Sequence, residues 1–138
     1  MKRTLLALGL AAASVTAALP ASASSAAAQN IVYTVSASSG NAFHAACVIY
    51  ADRFTADYGP TTVYAVAESP FGVSTNIRCT VTKGGTTWVD ASASGTDRAV
   101  IWNERHGTIP AAGVTVCLDA DSQLSVDAHP TVHVCRLF

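Results

Sequence analysis

The chain has 138 residues, 50% of them hydrophobic and only 12% charged, with four cysteines and a formal net charge of −1. The near-neutral balance excludes a basic nucleic-acid binder and a polyanionic tail protein. The apolar fraction excludes a disordered chain, and the length allows a single domain.

The chain opens on a basic segment, Met1-Lys2-Arg3-Thr4, followed by the uncharged stretch Leu5 to Leu19 and then Pro20. Two small-residue cleavage patterns follow, Ala21-Ser22-Ala23 and Ala26-Ala27-Ala28. Basic, apolar, small-x-small is the order of a secretory signal. The apolar stretch falls short of the roughly 20 residues that span a bilayer. Lys2-Arg3 is not an arginine pair, so a twin-arginine route is not indicated, and no cysteine near the cleavage patterns marks a lipoprotein. The expected organisation is a signal peptide over 1–28 and one domain over 29–138, secreted to the extracellular space and free of the membrane once the signal is removed. Without residues 1–28 the apolar share falls to 46% and the net charge becomes −3.

Residues 29–138 hold 14 Val, 13 Thr and 5 Ile against 3 Leu, 2 Glu, 1 Lys and no Met. β-Branched side chains suit a pleated surface, and the scarce types are strong helix formers. In chain order the predicted strands are Ile31–Ala37, Ala45–Arg53, Thr62–Ala67, Thr75–Thr82, Thr86–Ala93, Arg98–Asn103, Val114–Ala120 and Thr131–Leu137. Gly, Pro, Asn and Ser clusters punctuate them. Eight short strands at this spacing predict an all-β, two-sheet immunoglobulin-like sandwich with two disulfides. Residues 41–58 carry a competing signal. Phe43, Ala46, Cys47, Tyr50 and Phe54 fall on a helical stripe, with Asn41 as N-cap and Gly59-Pro60 as the stop. A helix there would make the fold α+β. The alternation Phe43, Ala45, Cys47, Ile49 supports a strand.

Four cysteines in an exported domain imply two disulfides in one of three connectivities. In Val114–Ala120 the apolar face is Val114, Val116 and Leu118, so Cys117 points the other way. In Thr131–Leu137 the apolar face is Val132 and Val134, so Cys135 also points outward. Cys79 points inward with Ile77 and Val81, and Cys47 inward with Ile49. Side-chain parity therefore favours Cys47–Cys79 and Cys117–Cys135. The rival set is Cys79–Cys117 with Cys47–Cys135, the first spanning Trp88 as in an immunoglobulin sandwich. Either set commits Cys47, Cys79, Cys117 and Cys135 to structure and leaves no thiol for catalysis or zinc. The turn at Gly84-Gly85 has two readings. A two-residue turn puts Trp88 inside. A three-residue turn puts Val89 and Ala91 inside and Trp88 outside.

Several polar clusters invite chemical readings. His129-Pro-Thr-Val-His133 has the i, i+4 spacing of helical zinc motifs, but on a strand the two imidazoles stand about 13 Å apart. Asp119-Ala-Asp121-Ser-Gln123 resembles the start of a calcium loop without its sixth-position Gly or closing Glu. Glu104-Arg105-His106, near Asp97 and Arg98, is the densest charged cluster and reads as a solvated turn or as an acid and a base. No G-x-S-x-G elbow, P-loop or G-x-G-x-x-G is present. Tyr33, Tyr50, Tyr58, Tyr64, Trp88 and Trp102 are candidates for a carbohydrate-stacking face, against the alternative that they fill the core.

The alanine-rich signal, the run Cys79-Thr-Val-Thr-Lys-Gly-Gly, Val114-Thr-Val-Cys117 and the near-terminal Cys135 resemble small exported β-sandwich proteins of high-GC Gram-positive bacteria. The likeness covers roughly residues 70–138 and implies the sandwich fold without an activity. The closely spaced cysteine pairs of the secreted subtilisin inhibitors and of the enediyne chromoprotein carriers are absent. The sequence thus predicts an exported, non-enzymatic, monomeric binding module with no catalytic, cofactor-binding or metal-ligating residues. Its partner is expected to be an extracellular protein or a cell-wall component. One version is an inhibitor of an extracellular enzyme acting through a rigid loop such as Glu68 to Val73 or His106 to Gly113. The alternatives are a small hydrolase-like enzyme using His106 or His133 with a carboxylate, or a structural component of the cell surface. N-terminal sequencing of the exported protein is expected to begin at Ser24 or Gln29; a secreted chain beginning at Met1 contradicts the signal assignment.

Overall fold

The computed structural model describes residues 31–40, 42–51, 58–70, 72–123 and 129–138. The expected signal peptide, 1–28, lies outside the described residues. Eight strands are present: β1 (Ile31–Ser39), β2 (Phe43–Ala51), β3 (Tyr58–Glu68), β4 (Ser74–Lys83), β5 (Thr86–Thr96), β6 (Arg98–Pro110), β7 (Thr115–Ser122) and β8 (Thr131–Leu137). They form two antiparallel four-stranded sheets, sheet A in the order β1-β2-β3-β6 and sheet B in the order β5-β4-β7-β8. The layering is that of the immunoglobulin-like sandwich, and the strand order is the protein's own. Among the described residues there is no helix, and hence none long and apolar enough to cross a membrane.

The competing helix over 41–58 is not formed where the chain is described, because Phe43–Ala51 is strand β2. Its residues alternate buried and outward along the whole strand. Both backbone edges of β2 are paired, to β1 and to β3, so a full ladder replaces the local hydrogen bonds of a helix. Residues 52–57 lie outside the described residues.

The same period of two builds the core. Phe43, Ile49, Ile77, Ile109 and Leu118 are its largest fully buried side chains, and Ala45, Ala65, Ala67, Ala91 and Ala99 fill between them. Cys47 and Cys79, both fully buried, join β2 of sheet A to β4 of sheet B with Cα atoms 6.3 Å apart. Cys117 and Cys135 face each other on β7 and β8, 4.1 Å apart at Cα. The rival pairing of Cys79 with Cys117 fails because Cys117 lies on the opposite face of sheet B from Cys79. Their strands are neighbours, but Cys79 stands opposite Leu118 and Cys117 opposite Thr80.

The hairpin at Gly84-Gly85 combines the two sequence readings. Lys83 pairs with Thr86 across a two-residue turn in which both glycines have positive φ, 57° and 79°. This is the signature of a type I′ turn. A bulge follows: Thr82 faces Thr87 while Val81 faces Val89. Trp88 is the extra residue, and its insertion returns Val89 and Ala91 to the core.

Two corners close the sandwich. At one, Tyr33 of β1 donates its hydroxyl to the Ala111 carbonyl at 2.6 Å and packs its ring 4.8 Å from that of Phe138. At the other, β5 passes into β6 through the single residue Asp97, which takes a positive φ of 63°. The Asp97 amide donates to the Val73 carbonyl, and the Asp97 carbonyl accepts from the Ser69 amide, at 2.8 and 2.7 Å. These bonds pin the connection between β3 and β4 to the corner. Gly95 lines the same bend, where an added Cβ would lie 2.2 Å from the Arg98 carbonyl oxygen. Gly95→Ala is therefore expected to lower stability by about 1–3 kcal/mol in urea unfolding. Gly107→Ala, at a position with open space around it, is expected to change it by less than about 0.5 kcal/mol. An unchanged midpoint for Gly95→Ala contradicts the close packing of this corner.

Candidate functional site

The two outer faces differ in chemistry. On sheet A the outward positions include Ala46, Val48 and Tyr50 of β2 and Thr62, Tyr64 and Val66 of β3 on the two central strands, and Val100 and Trp102 on the edge strand β6. An apolar strip results on a surface facing solvent. Tyr50, Tyr64 and Trp102 form a row across three strands, with ring centroids 5.5 and 5.2 Å apart and successive rings edge to face at 90° and 84°. This is the favoured geometry for aromatic pairs. Trp102 ends the row and is 78% exposed. A shallow groove runs beside it between Val48, Tyr64, Val66, Arg98 and Val100.

Asn103 creates the row. Val63 stands opposite Glu104 and Ala65 opposite Ile101, so Trp102 and Asn103 together face the single residue Tyr64. Asn103 takes a positive φ of 53°, a conformation that asparagine tolerates better than most residues. The Tyr64 hydroxyl donates to Asn103 Oδ1 at 3.3 Å. The bulge sets Trp102 beside Tyr64 and reverses the parity of the next residues. Polar groups flank the strip. Arg98 and Glu68 pair at 3.1 Å at one end, and Thr62 and Arg105 face each other at the other.

The aromatic residues singled out from sequence thus divide. Tyr33 is core, at 4% exposure. Tyr50, Tyr64 and Trp102 share the outer face of sheet A, and Trp88 lies on β5 of sheet B. The side chain of Tyr58 lies outside the described residues. Parity along β6 cannot place Trp102 beside Tyr64 unless the Asn103 bulge is known, and an isolated Asn in a strand is a weak bulge signal.

Glu104-Arg105-His106 is not a solvated turn: it lies inside β6. Past the bulge, Glu104 and His106 stand opposite the buried residues Val63 and Thr61 and turn toward the inner side. His106 Nε2 lies 3.0 Å from Glu104 Oε1 without a hydrogen bond to it. Asp97 and Arg98 sit about 20 Å away along the strand and do not join this pair. The candidate inhibitor loop from His106 to Gly113 is mostly strand, β6 running to Pro110. The segment Glu68 to Val73 is tethered at Ser69 and Val73 to the Asp97 corner.

Sheet B is polar outside. His133 Nδ1 contacts Asp119 Oδ1 across β7 and β8. Asn76 Nδ2 donates to Asp121 Oδ2 at 2.9 Å. Arg78 makes a two-pronged pair with Asp90, at 2.7 and 2.6 Å. Asp119 and Asp121 are thus held by strand neighbours. Among the described residues no group of three or more His, Cys, Asp or Glu is placed to hold a metal ion. No protein-family model, curated protein or solved structure matches the chain.

The Arg78 hydrogen bond holds the Asp90 carboxyl below the usual aspartate value, against partial desolvation, and the bond to Asp90 raises the Arg78 guanidinium. Because the folded-state pKa of Asp90 is depressed, the pair stabilises the protein above the ordinary aspartate pKa of about 3.9. That contribution is lost as pH falls through the lowered value. Both side chains are about half exposed, so the effect is modest. Thermal unfolding is expected to show Asp90→Asn less stable than the parent at neutral pH, with the gap closing in acid below the carboxylate range. A gap that persists unchanged in acid contradicts the ion-pair assignment.

Proposed function

We propose that the protein is a secreted, non-enzymatic binding module whose outer sheet A face takes a neutral saccharide chain of the cell wall or its surroundings. The observation that carries this reading is the row Tyr50, Tyr64 and Trp102 on a solvent-facing surface. An aromatic side chain buries on the order of 150–250 Å² where it is covered. At roughly 25 cal/mol per Å², leaving Trp102 at 78% exposure forgoes a large favourable term that a ligand can recover.

The chemistry of the face selects the ligand class. Aromatic and valine side chains suit the C–H faces of sugar rings. Thr62, Asn103 and the hydroxyls of Thr34 and Ser36 on β1 offer hydrogen bonds to a polyhydroxylated molecule. The strip carries no unbalanced cluster of charge, since Arg98 is paired with Glu68. A nucleic acid, which needs a phosphate-neutralising surface, does not suit it. Tyr50 and Tyr64 stand on β2 and β3, whose backbones are laddered on both sides, and Trp102 stands on β6, laddered to β3; a rigid surface loses little entropy on binding. The two disulfides accord with an extracellular site of action.

Retention on insoluble cell-wall polysaccharide and on purified glucans is the direct test. Trp102→Ala is expected to weaken retention about thirtyfold, the equivalent of ~2 kcal/mol for an aromatic hot spot. Trp88→Phe, on the other sheet, is expected to leave it unchanged. Retention equal in the parent and Trp102→Ala, or no retention of the parent on any saccharide, overturns the reading.

A further inference from the structure

The outer disulfide has a chemical setting that the inner one lacks. Cys47 and Cys79 are fully buried. Cys135 is exposed and Cys117 half-buried, both on the outer face of sheet B. Two pairs along the β7–β8 ladder, at the next position on this face, stand Asp119 and His133. The His133 ring reaches in both directions: Nδ1 contacts Asp119 Oδ1, and Nε2 lies 3.6 Å from Cys135 Sγ. Carboxylate, imidazole and sulfur therefore form a continuous line on an open surface. Among the described residues, the other charged groups that flank this line on the strands are already engaged. Arg78, opposite Asp119 on β4, pairs with Asp90, and Asp121 accepts from Asn76. Arg136, the next charged residue on β8, is on the other side of the strand, opposite the buried Val116, and lies over the Phe138 ring at 5.8 Å.

We infer that Cys117–Cys135 is a thiol-exchange site, in which Asp119 and His133 assist the departure of the Cys135 thiolate when a small-molecule thiolate attacks Cys117. The attacking sulfur forms a bond to Cys117 Sγ as the Cys117–Cys135 bond breaks, and the electron pair of the broken bond leaves on Cys135 Sγ. The external thiol is oxidised into a mixed disulfide with Cys117, and Cys135 is reduced. The protonated His133 ring, held by Asp119 at Nδ1, directs its Nε2–H at the departing sulfur and stabilises the negative charge there. Disulfide exchange runs faster as the leaving thiol becomes more acidic, and a neighbouring imidazolium is a recognised source of that acidity. His133 is the group that touches the reacting atom, and Asp119 is a positioning residue. Backbone bonds between β7 and β8 and the buried Cys47–Cys79 bond remain in place after exchange. The product is a folded protein carrying one modified surface cysteine.

The experiment exposes the native protein to reduced glutathione near neutral pH. Timed alkylation with iodoacetamide is followed by peptide mass mapping. Glutathione is expected on Cys117 and the alkyl group on Cys135, with Cys47–Cys79 intact. His133→Gln is expected to slow trapping per glutathione thiolate about threefold or more. That is the effect of about one unit of leaving-group acidity at a slope of ~0.5. Asp119→Asn shows a smaller loss, and Asp119→Glu, which keeps a carboxylate for His133 Nδ1, restores most of the parent rate. His133 is exposed, with 68% of its side chain accessible, so the substitution leaves folding intact, as circular dichroism verifies. No trapping in the native protein, equal modification of all four cysteines, or equal trapping rates in the parent and His133→Gln would overturn the proposal.

Discussion

The Cys47–Cys79 bond ties the two sheets together at the centre of the core, and the side-chain period of two extends that single tie into an orientation for every neighbouring residue. Once Cys47 points inward, Phe43, Ala45, Ile49 and Ala51 do so as well, and Tyr50, Val48 and Ala46 are turned outward. Once Cys79 points inward, Arg78 and Thr80 face solvent, and through the register with β7 so do Cys117 and Asp119. A slip of one residue on either strand would expose the core set and bury the polar one. Each outer face is thus the complement of a buried face, and its composition cannot change independently of the packing beneath.

Departures from strict alternation occur where the faces acquire their character. The Trp88 bulge restores Val89 and Ala91 to the core after a turn whose geometry would have buried Asp90. The Asn103 bulge sets Trp102 beside Tyr64 and turns Glu104 and His106 toward the inner side. Both add one residue to one strand, which bends the strand and re-aims its side chains. Sheet A consequently presents an aromatic, valine-rich exterior. Sheet B presents ion pairs and a sulfur pair. The protein has two chemically distinct outer surfaces on one rigid frame.

Much of this frame was legible in the sequence because alternation is a local signal. The eight expected strands correspond to β1 through β8, and the inward or outward parity of the four cysteines selected the observed pairing. What was not legible depends on strand partners. Tyr33 and Tyr64 are the same residue type in similar strands, yet one is core and the other surface, because only register decides their faces. Glu104 and His106 read as a turn because charged residues seldom occupy a strand's inward side. The Asn103 bulge and the open sheet edge accommodate them. The line from Asp119 through His133 to Cys135 requires knowing that β7 and β8 pair with Asp119 opposite His133.

In the proposed function, binding is carried by the aromatic exterior of sheet A and not by a loop or the opposite sheet. Backbone amide shifts recorded while a soluble wall-derived oligosaccharide is titrated into the isotopically labelled domain test it most directly. Shift changes are expected to concentrate on β2, β3 and β6 around Tyr50, Tyr64 and Trp102, with a change in the Trp102 indole N–H and with sheet B unmoved. Shift changes confined to the segment between Glu68 and Val73, or to β7 and β8, would contradict it.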